Sequence, residues 1–323
     1  MDLLDKVAVI TGSARGIGKA ITVKLLEAGA RVCISNTNRN KGETTLKELG
    51  KRFGNSNVCY VQCDVTNEEE IKSLFDKVEQ YFDVECVDIL VNNAGVNVNL
   101  GWKTCMEVNL MGVFNVTMTA VERTKKAGKP CQILHNSSIG VQPYIVTKLQ
   151  RISCVIMNII SAGLAAGIPD GFGDELTPYT VAKLGVVTLT RSMALGPKSN
   201  IMHKAFCPDG TDTDLVAEAG KGLDPEAMKE YQKMTGGLMT SEFVAEGFMK
   251  LLTECSTGSV MLIQKDSPYI LMPDFNKPLV LAMPYLSKMI GKMSSTDMVN
   301  GTHLTLVIIL VILMLCAMVL TIF

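Results

Sequence analysis

Histidine is scarce in this chain. Only His135, His203 and His303 stand among 323 residues, too scattered to read as metal ligands. The ten cysteines form no CxxC pair and no Cys/His cluster with metal-ligand spacing, so no metal site is expected. They read as reduced, buried small hydrophobes of a cytosolic domain. A charge excess is also missing: 31 basic against 32 acidic residues leave a formal net charge of −1. Nucleic-acid binding needs a clustered basic surplus, so nucleic acid is not an expected partner. The opening residues, MDLLDKVAVITG, lack the basic and apolar regions of a secretory signal and read as the start of a domain.

What the chain does have falls into regions of unlike character. Residues 1–265 mix apolar runs, glycines and scattered charges, enough for one α/β domain with a full core. Residues 266–303 carry four prolines and several lysines and read as a lid or linker. Residues 304–323, LTLVIILVILMLCAMVLTIF, carry no charge. Twenty such residues at helical rise span about 30 Å, the hydrocarbon thickness of a bilayer. This segment is expected to be a transmembrane helix. With no signal at the start and the anchor at the end, the chain reads as tail-anchored, its domain in the cytosol. The endoplasmic reticulum is placed ahead of other membranes.

The first 265 residues alternate two periods. Apolar runs at 6–12, 30–35, 57–62 and 87–95 predict strands. Helical spacing follows in residues 17–29, 67–82 and 106–125. Later, 178–195 and 241–254 read as helices, 201–208 and 258–264 as strands. Alternation of this kind predicts right-handed βαβ units and a doubly wound parallel sheet, an α/β fold. One irregularity interrupts it. CQILHNSSIGV (131–141) and CVIMNIISAGL (154–164) match at an offset of 23, pairing Cys131 with Cys154, Ser138 with Ser161 and Gly140 with Gly163. This reads as a tandem duplication of one strand and its turn; a splicing or gene-model origin stays open.

Several motifs carry chemistry. TGSARGIGKA places Gly12, Arg15, Gly16, Ile17 and Gly18 between a strand and a helix. Such glycines let the backbone approach a pyrophosphate, and a helix N-terminus presents free N–H groups to its charge. Further on stand Asp64 and Val65 in VQCDVT, Asn93, Ala94 and Gly95 in NNAG, and Asn109 in EVNLMGVFN. Tyr179 and Lys183 follow in PYTVAK, then Pro208 and Thr213 in CPDGTDT. Residues four apart on a helix share a face. A lysine there is expected to lower the tyrosine pKa toward working pH. Tyr144 and Lys148 repeat the spacing, but only Tyr179 opens a long amphipathic helix.

In their order and spacing these motifs resemble the short-chain dehydrogenase/reductase family over about residues 5–265. The resemblance implies a Rossmann-type fold, a nicotinamide cofactor, and hydride transfer between it and an alcohol or ketone. It implies a catalytic group of Tyr179, Lys183, Asn109 and a serine, with Asn109 supporting a proton-relaying water. It also implies that Asp64 binds the adenine amino group and that Pro208 and Thr213 face the nicotinamide. NNAGVNVNLGWKTCMEVNL and the region after residue 239 resemble a branch of the family acting on a lipid-like alcohol or ketone. A homodimer stays open. So does an inactive relative that keeps the fold for cofactor binding or scaffolding, because the duplication falls between Asn109 and Tyr179.

The second strand ends at Asn36 rather than at an acid that would bind the ribose 2′-OH. Nothing there repels a 2′-phosphate, and Arg15 and Arg39 are placed to pair with one. This favours NADP(H), whereas the resemblance favours NAD. For the serine, Ser161 lies 18 residues before Tyr179 and Ser138 lies 41 before it. A central parallel strand is continuously apolar, and CVIMNII meets that better than CQILHNS. Ser161 is therefore preferred, with Ser138 as the alternative.

Overall fold

The run VAVIT forms β1 (Val7–Thr11), with every side chain buried. Then come α1 (Gly16–Glu27), β2 (Arg31–Asn36), α2 (Arg39–Phe53), β3 (Val58–Gln62), α3 (Glu68–Phe82) and β4 (Ile89–Asn92). α3 starts where its sequence says it should: Asn67 caps the N–H groups of Glu69 and Glu70, and three glutamates fill the first turn. A longer helical stretch follows as α4 (Trp102–Met106), a π-helical segment (Glu107–Gly112) and α5 (Val113–Ala127). β5 (Cys131–Asn136), α6 (Gly173–Ala194), β6 (Ile201–Pro208), α7 (Asp214–Gly220), α8 (Ser241–Glu254), β7 (Val260–Ile263) and β8 (Ile270–Leu271) complete the order.

In this computed structural model the described residues are 2–138, 173–196, 200–220, 237–265 and 269–272, and all fall in one compact unit. The sheet order is β3-β2-β1-β4-β5-β6-β7-β8. Pairing is parallel through β7, and β8 runs antiparallel to it. Helices cover both faces. Ile21 and Leu25 of α1 pack with Phe248 and Leu251 of α8 on one side; Leu74 and Phe75 of α3 pack with Val116 and Ala120 of α5 on the other. Burying a side chain such as Phe75 contributes about 2–3 kcal/mol. The chain winds outward in both directions from β1 and β4. The C-terminal ends of those strands therefore form the crevice where such sheets bind ligands.

The expected strand at 201–208 and helix at 241–254 are found with those boundaries. Three findings differ from expectation. β8 lies beyond the strand expected to close the sheet. The helix expected from Met106 begins at Trp102 and passes through the π segment. The third difference is a correction: the central slot between β4 and β6 is filled by Cys131–Asn136, the first copy of the duplication and not the second.

The physical reason lies in the neighbours. His135 and Asn136 made this copy look too polar for a buried strand, but both find partners. His135 Nδ1 lies 3.2 Å from Asn92 Nδ2, and Asn136 Nδ2 donates to Asn93 Oδ1 at 2.9 Å. The copy also follows α5 after a turn ended by Gly128, whose φ of 67° suits glycine. Ser161, Tyr144 and Lys148, the second copy and the apolar segment 304–323 lie outside the described residues. Among the described residues no helix is long and apolar enough to cross a membrane.

Two buried basic features were not legible beforehand. His135 and His203 face each other across β5 and β6, with rings nearly parallel and centroids 6.1 Å apart. Burial pushes their pKa values down to about 3 and about 4. Lys204 is 1% exposed. Its ammonium donates to Gln132 Oε1 at 2.7 Å and to the carbonyls of Leu251 and Leu252 at 3.2 and 2.8 Å. It thus satisfies carbonyls of α8's last turns, which have no partner within the helix, and burial lowers its pKa to about 8.

Candidate active site

The turn after β1 is built around the segment after β4. Thr11 Oγ1 accepts from the N–H groups of Asn93 and Ala94, each at 3.1 Å. The Asn93 amide donates back to the carbonyls of Thr11 and Gly12, each at 3.0 Å. Contact is so close that a Cβ on Gly12 would lie 2.7 Å from Ala94 Cα, and one on Gly18 2.5 Å from Asn93 Nδ2. Gly12 also needs its φ of 64°. Beside this turn α1 starts at Gly16. Its N-cap residue Arg15 makes no side-chain cap, and no acid stands in the first turn. The helix end therefore keeps N–H donors for an anion, which fits the pyrophosphate of a dinucleotide. Thr213 reaches the same turn: a Cβ on Gly16 would lie 3.3 Å from its Cγ2. Ile17 packs on the core under α1.

Further along the crevice, Asp64 follows β3. Its Oδ1 accepts from the N–H and hydroxyl of Thr66 at 2.9 and 2.8 Å. Val65 is buried against Gly112. Pro208 ends β6, and Asn36 ends β2.

At the ends of β4 and β5 the other expected residues converge. The Ser138 side chain hydrogen-bonds to the Tyr179 phenol. The Lys183 ammonium lies 5.5 Å from the centroid of the Tyr179 ring and donates to the Asn136 carbonyl at 3.1 Å. Ser137 Oγ donates to the Lys183 carbonyl at 2.8 Å, tying α6 to β5. Asn109 is fully buried. Its Nδ2 donates to the carbonyls of Val96 and Cys105, each at 2.9 Å, and its Oδ1 accepts from Val96 N–H at 3.2 Å. The π segment that carries Asn109 is a distortion often found at functional sites. Gly95 must stay small: a Cβ there would lie 2.8 Å from Asn109 Oδ1 and 3.7 Å from Lys183 Nζ.

Electrostatics correct one expectation. Lys183 was expected to draw the Tyr179 pKa down, yet burial pushes the phenol up to about 12, against the opposing Ser138 hydrogen bond. Burial is the largest cause, and the ammonium faces the ring and the Asn136 carbonyl. Burial also lowers Lys183 itself to about 8. The structure places Ser138 beside Tyr179, where Ser161 had been preferred.

The outer rim is charged but balanced. Arg15 pairs with Asp214, and Arg39 pairs with Glu43 at 2.7 Å. Sequence reasoning missed Asp214, which carries no motif. It also missed Thr11 and Asn136, although a threonine before the first glycine and an asparagine in an apolar strand were both visible signals.

A family model described as short chain dehydrogenase matches residues 6–149. 15-Hydroxyprostaglandin dehydrogenase [NAD(+)] of Rattus norvegicus is 28% identical, over 86% of this chain and 99% of that protein. Short chain dehydrogenase/reductase dpchG of Colletotrichum higginsianum is 36% identical, over 70% of this chain and 83% of that protein. Among solved structures, 3-ketoacyl-(acyl-carrier-protein) reductase from Brucella melitensis, complexed with NADH, superposes with a TM-score of 0.62 at 23% identity. It covers 81% of this chain and 98% of its own, a likeness of fold. By its sequence relatives, this chain belongs to the short-chain dehydrogenase/reductase family of NAD(P)-dependent oxidoreductases.

Proposed function

We propose that the chain interconverts a secondary alcohol and a ketone on a lipid-like molecule while anchored to a membrane. The observation that carries the chemistry is the cluster of Ser138, Tyr179, Lys183 and Asn109 at the strand ends, next to the glycine turn. The residues fit NAD(P): Gly12, Gly16 and Gly18 with the uncapped start of α1 would hold its pyrophosphate, and Asp64 and Val65 its adenine. When bound, the cofactor would supply hydride exchange at its nicotinamide ring.

Tyr179 Oη would give a proton to the substrate oxygen in reduction and take it in oxidation. A phenol raised to about 12 is protonated near neutrality, the form needed to reduce a ketone. Ser138 would donate a hydrogen bond to the same oxygen. Lys183 would pass protons between Tyr179 and solvent and hold α6 on β5 through the Asn136 carbonyl. Asn109 is a positioning residue, because its amide is engaged with the main chain of Val96 and Cys105.

For the cofactor, the reading admits both dinucleotides. No acid at Asn36 excludes a 2′-phosphate, but Arg15 and Arg39 each already face a carboxylate. The lipid-like substrate rests on the named prostaglandin dehydrogenase and on Leu100 and Trp102, exposed beyond the end of β4. Turnover of a panel of hydroxy and keto lipids tests it; activity on sugars alone would remove the lipid.

The membrane reading rests on the uncharged run 304–323, with Lys288 and Lys292 on its domain side. A tail anchor in the endoplasmic reticulum, domain in the cytosol, is the proposed arrangement. Protease added to intact microsomes should then digest the domain; a protected domain contradicts it. A homodimer has an apolar face to use: Met111, Phe114 and Met118 are exposed along one helix face, with Val181 and Leu184 on α6, which packs against the π segment. Sedimentation only as a monomer would remove the dimer.

A further inference from the structure

Three segments distant in sequence bring charge together beside the glycine turn. Arg15 belongs to the glycine turn, Lys41 to the first turns of α2, and Asp214 to the start of α7. Asp214 Oδ2 contacts Arg15 Nη1 and lies 3.7 Å from Lys41 Nζ. Glu218, one turn further along α7, lies 4.0 Å from the same Arg15 nitrogen. Arg15 holds the Asp214 carboxyl below its usual pKa, helped by Lys41. Asp214 therefore stays ionised through the neutral range.

Arg15 lies in the turn before α1 and Lys41 in the first turn of α2, just after β2, whose last residue Asn36 leaves the ribose 2′ position without an acid. Each cation is already matched by an anion from the chain itself. The geometry points to Asp214 as a specificity-determining residue for the cofactor: its carboxylate occupies Arg15 and Lys41, the cations a 2′-phosphate would need, and so biases the site toward the unphosphorylated dinucleotide. This rests on the reading of the crevice as a dinucleotide site, and it locates cofactor choice on α7 rather than on β2 alone. NAD(H) needs nothing from Arg15 and leaves the ion pair closed. NADP(H) must displace Asp214 from the guanidinium and then meet both acids of α7 as like charges. The groups are exposed, so the effect is one of competition and salt dependence rather than of fold stability.

The test is a binding titration of full-length protein in detergent with NADH and NADPH, for wild type, Asp214→Asn, Asp214→Asn with Glu218→Gln, and Asp214→Asn with Arg15→Ala. Removing the carboxylate should tighten NADPH by about tenfold, the scale of one charge–charge contact near a surface, and leave NADH within about twofold. Removing Glu218 as well should tighten NADPH further and steepen its salt dependence. Adding Arg15→Ala should abolish the gain. Equal shifts for both cofactors, no shift for NADPH, or a gain that survives loss of Arg15 would each overturn the assignment. If wild type binds neither dinucleotide, the crevice reading fails and the assignment falls with it. If wild type binds NADH and Asp214→Asn leaves the NADPH ratio unchanged, only the assignment fails.

Discussion

Replacing Tyr179 with phenylalanine is expected to lower turnover by about 10²–10⁴-fold, the range for losing a positioned acid–base group, with dinucleotide affinity nearly unchanged. The phenol is the group placed to exchange a proton with a substrate oxygen, since it already hydrogen-bonds to Ser138. Lys183 remains tied to the Asn136 carbonyl, so the variant keeps its fold and its link between α6 and β5. Loss of kcat with an intact cofactor Kd is the signature of an interaction made with the reacting atoms. A Tyr179→Phe protein that turns over at the wild-type rate would remove Tyr179 from the chemistry.

Ser138→Ala should cost about 10²–10³-fold in kcat, the scale for one hydrogen-bond donor to a developing oxyanion. Ser161→Ala should stay close to wild type. The difference follows from the strand slot. β5 pairs with β4 through Asn92↔His135 and with β6 through Asn136↔Phe206. That register brings Ser138 out at the sheet's C-terminal edge beside Tyr179. Steady-state kinetics of the two variants decide it. The reverse pattern would mean that the second copy supplies the serine.

The expectation that the second copy fills the central strand went astray for a physical reason. A buried strand was required to be apolar throughout, yet polar residues at the C-terminal end of a central strand can be satisfied by the neighbouring strand ends. Asn92 and Asn93 do this for one nitrogen of each, His135 Nδ1 and Asn136 Nδ2. Pattern alone shows neither partner, because both lie over 40 residues away. By contrast β1, β6, α3 and α8 were legible, because each carries its own period and end signals: buried apolar runs, Asn67 as a cap, Thr240 as a cap. The glycine turn was legible from its spacing. Its lock onto Asn93 and Ala94 was not, because it depends on Thr11 reaching across to β4. Lys204 was equally hidden: a lysine in an apolar run reads as a break until the carbonyls ending α8 are seen above it. The Tyr179 pKa was hidden in the same way, since residue spacing gives the face that Lys183 shares but not the burial that raises the phenol.

The most direct measurement is nicotinamide absorbance on mixing purified full-length protein with NAD+ or NADP+ and a panel of secondary hydroxy lipids, and in reverse with the matching ketones. Reduced nicotinamide should form with at least one lipid alcohol, or be consumed with its ketone, and Tyr179→Phe should abolish the signal while still binding dinucleotide. Tight dinucleotide binding with no turnover of any member in either direction would contradict the enzymatic reading and leave a protein that keeps the fold only to bind.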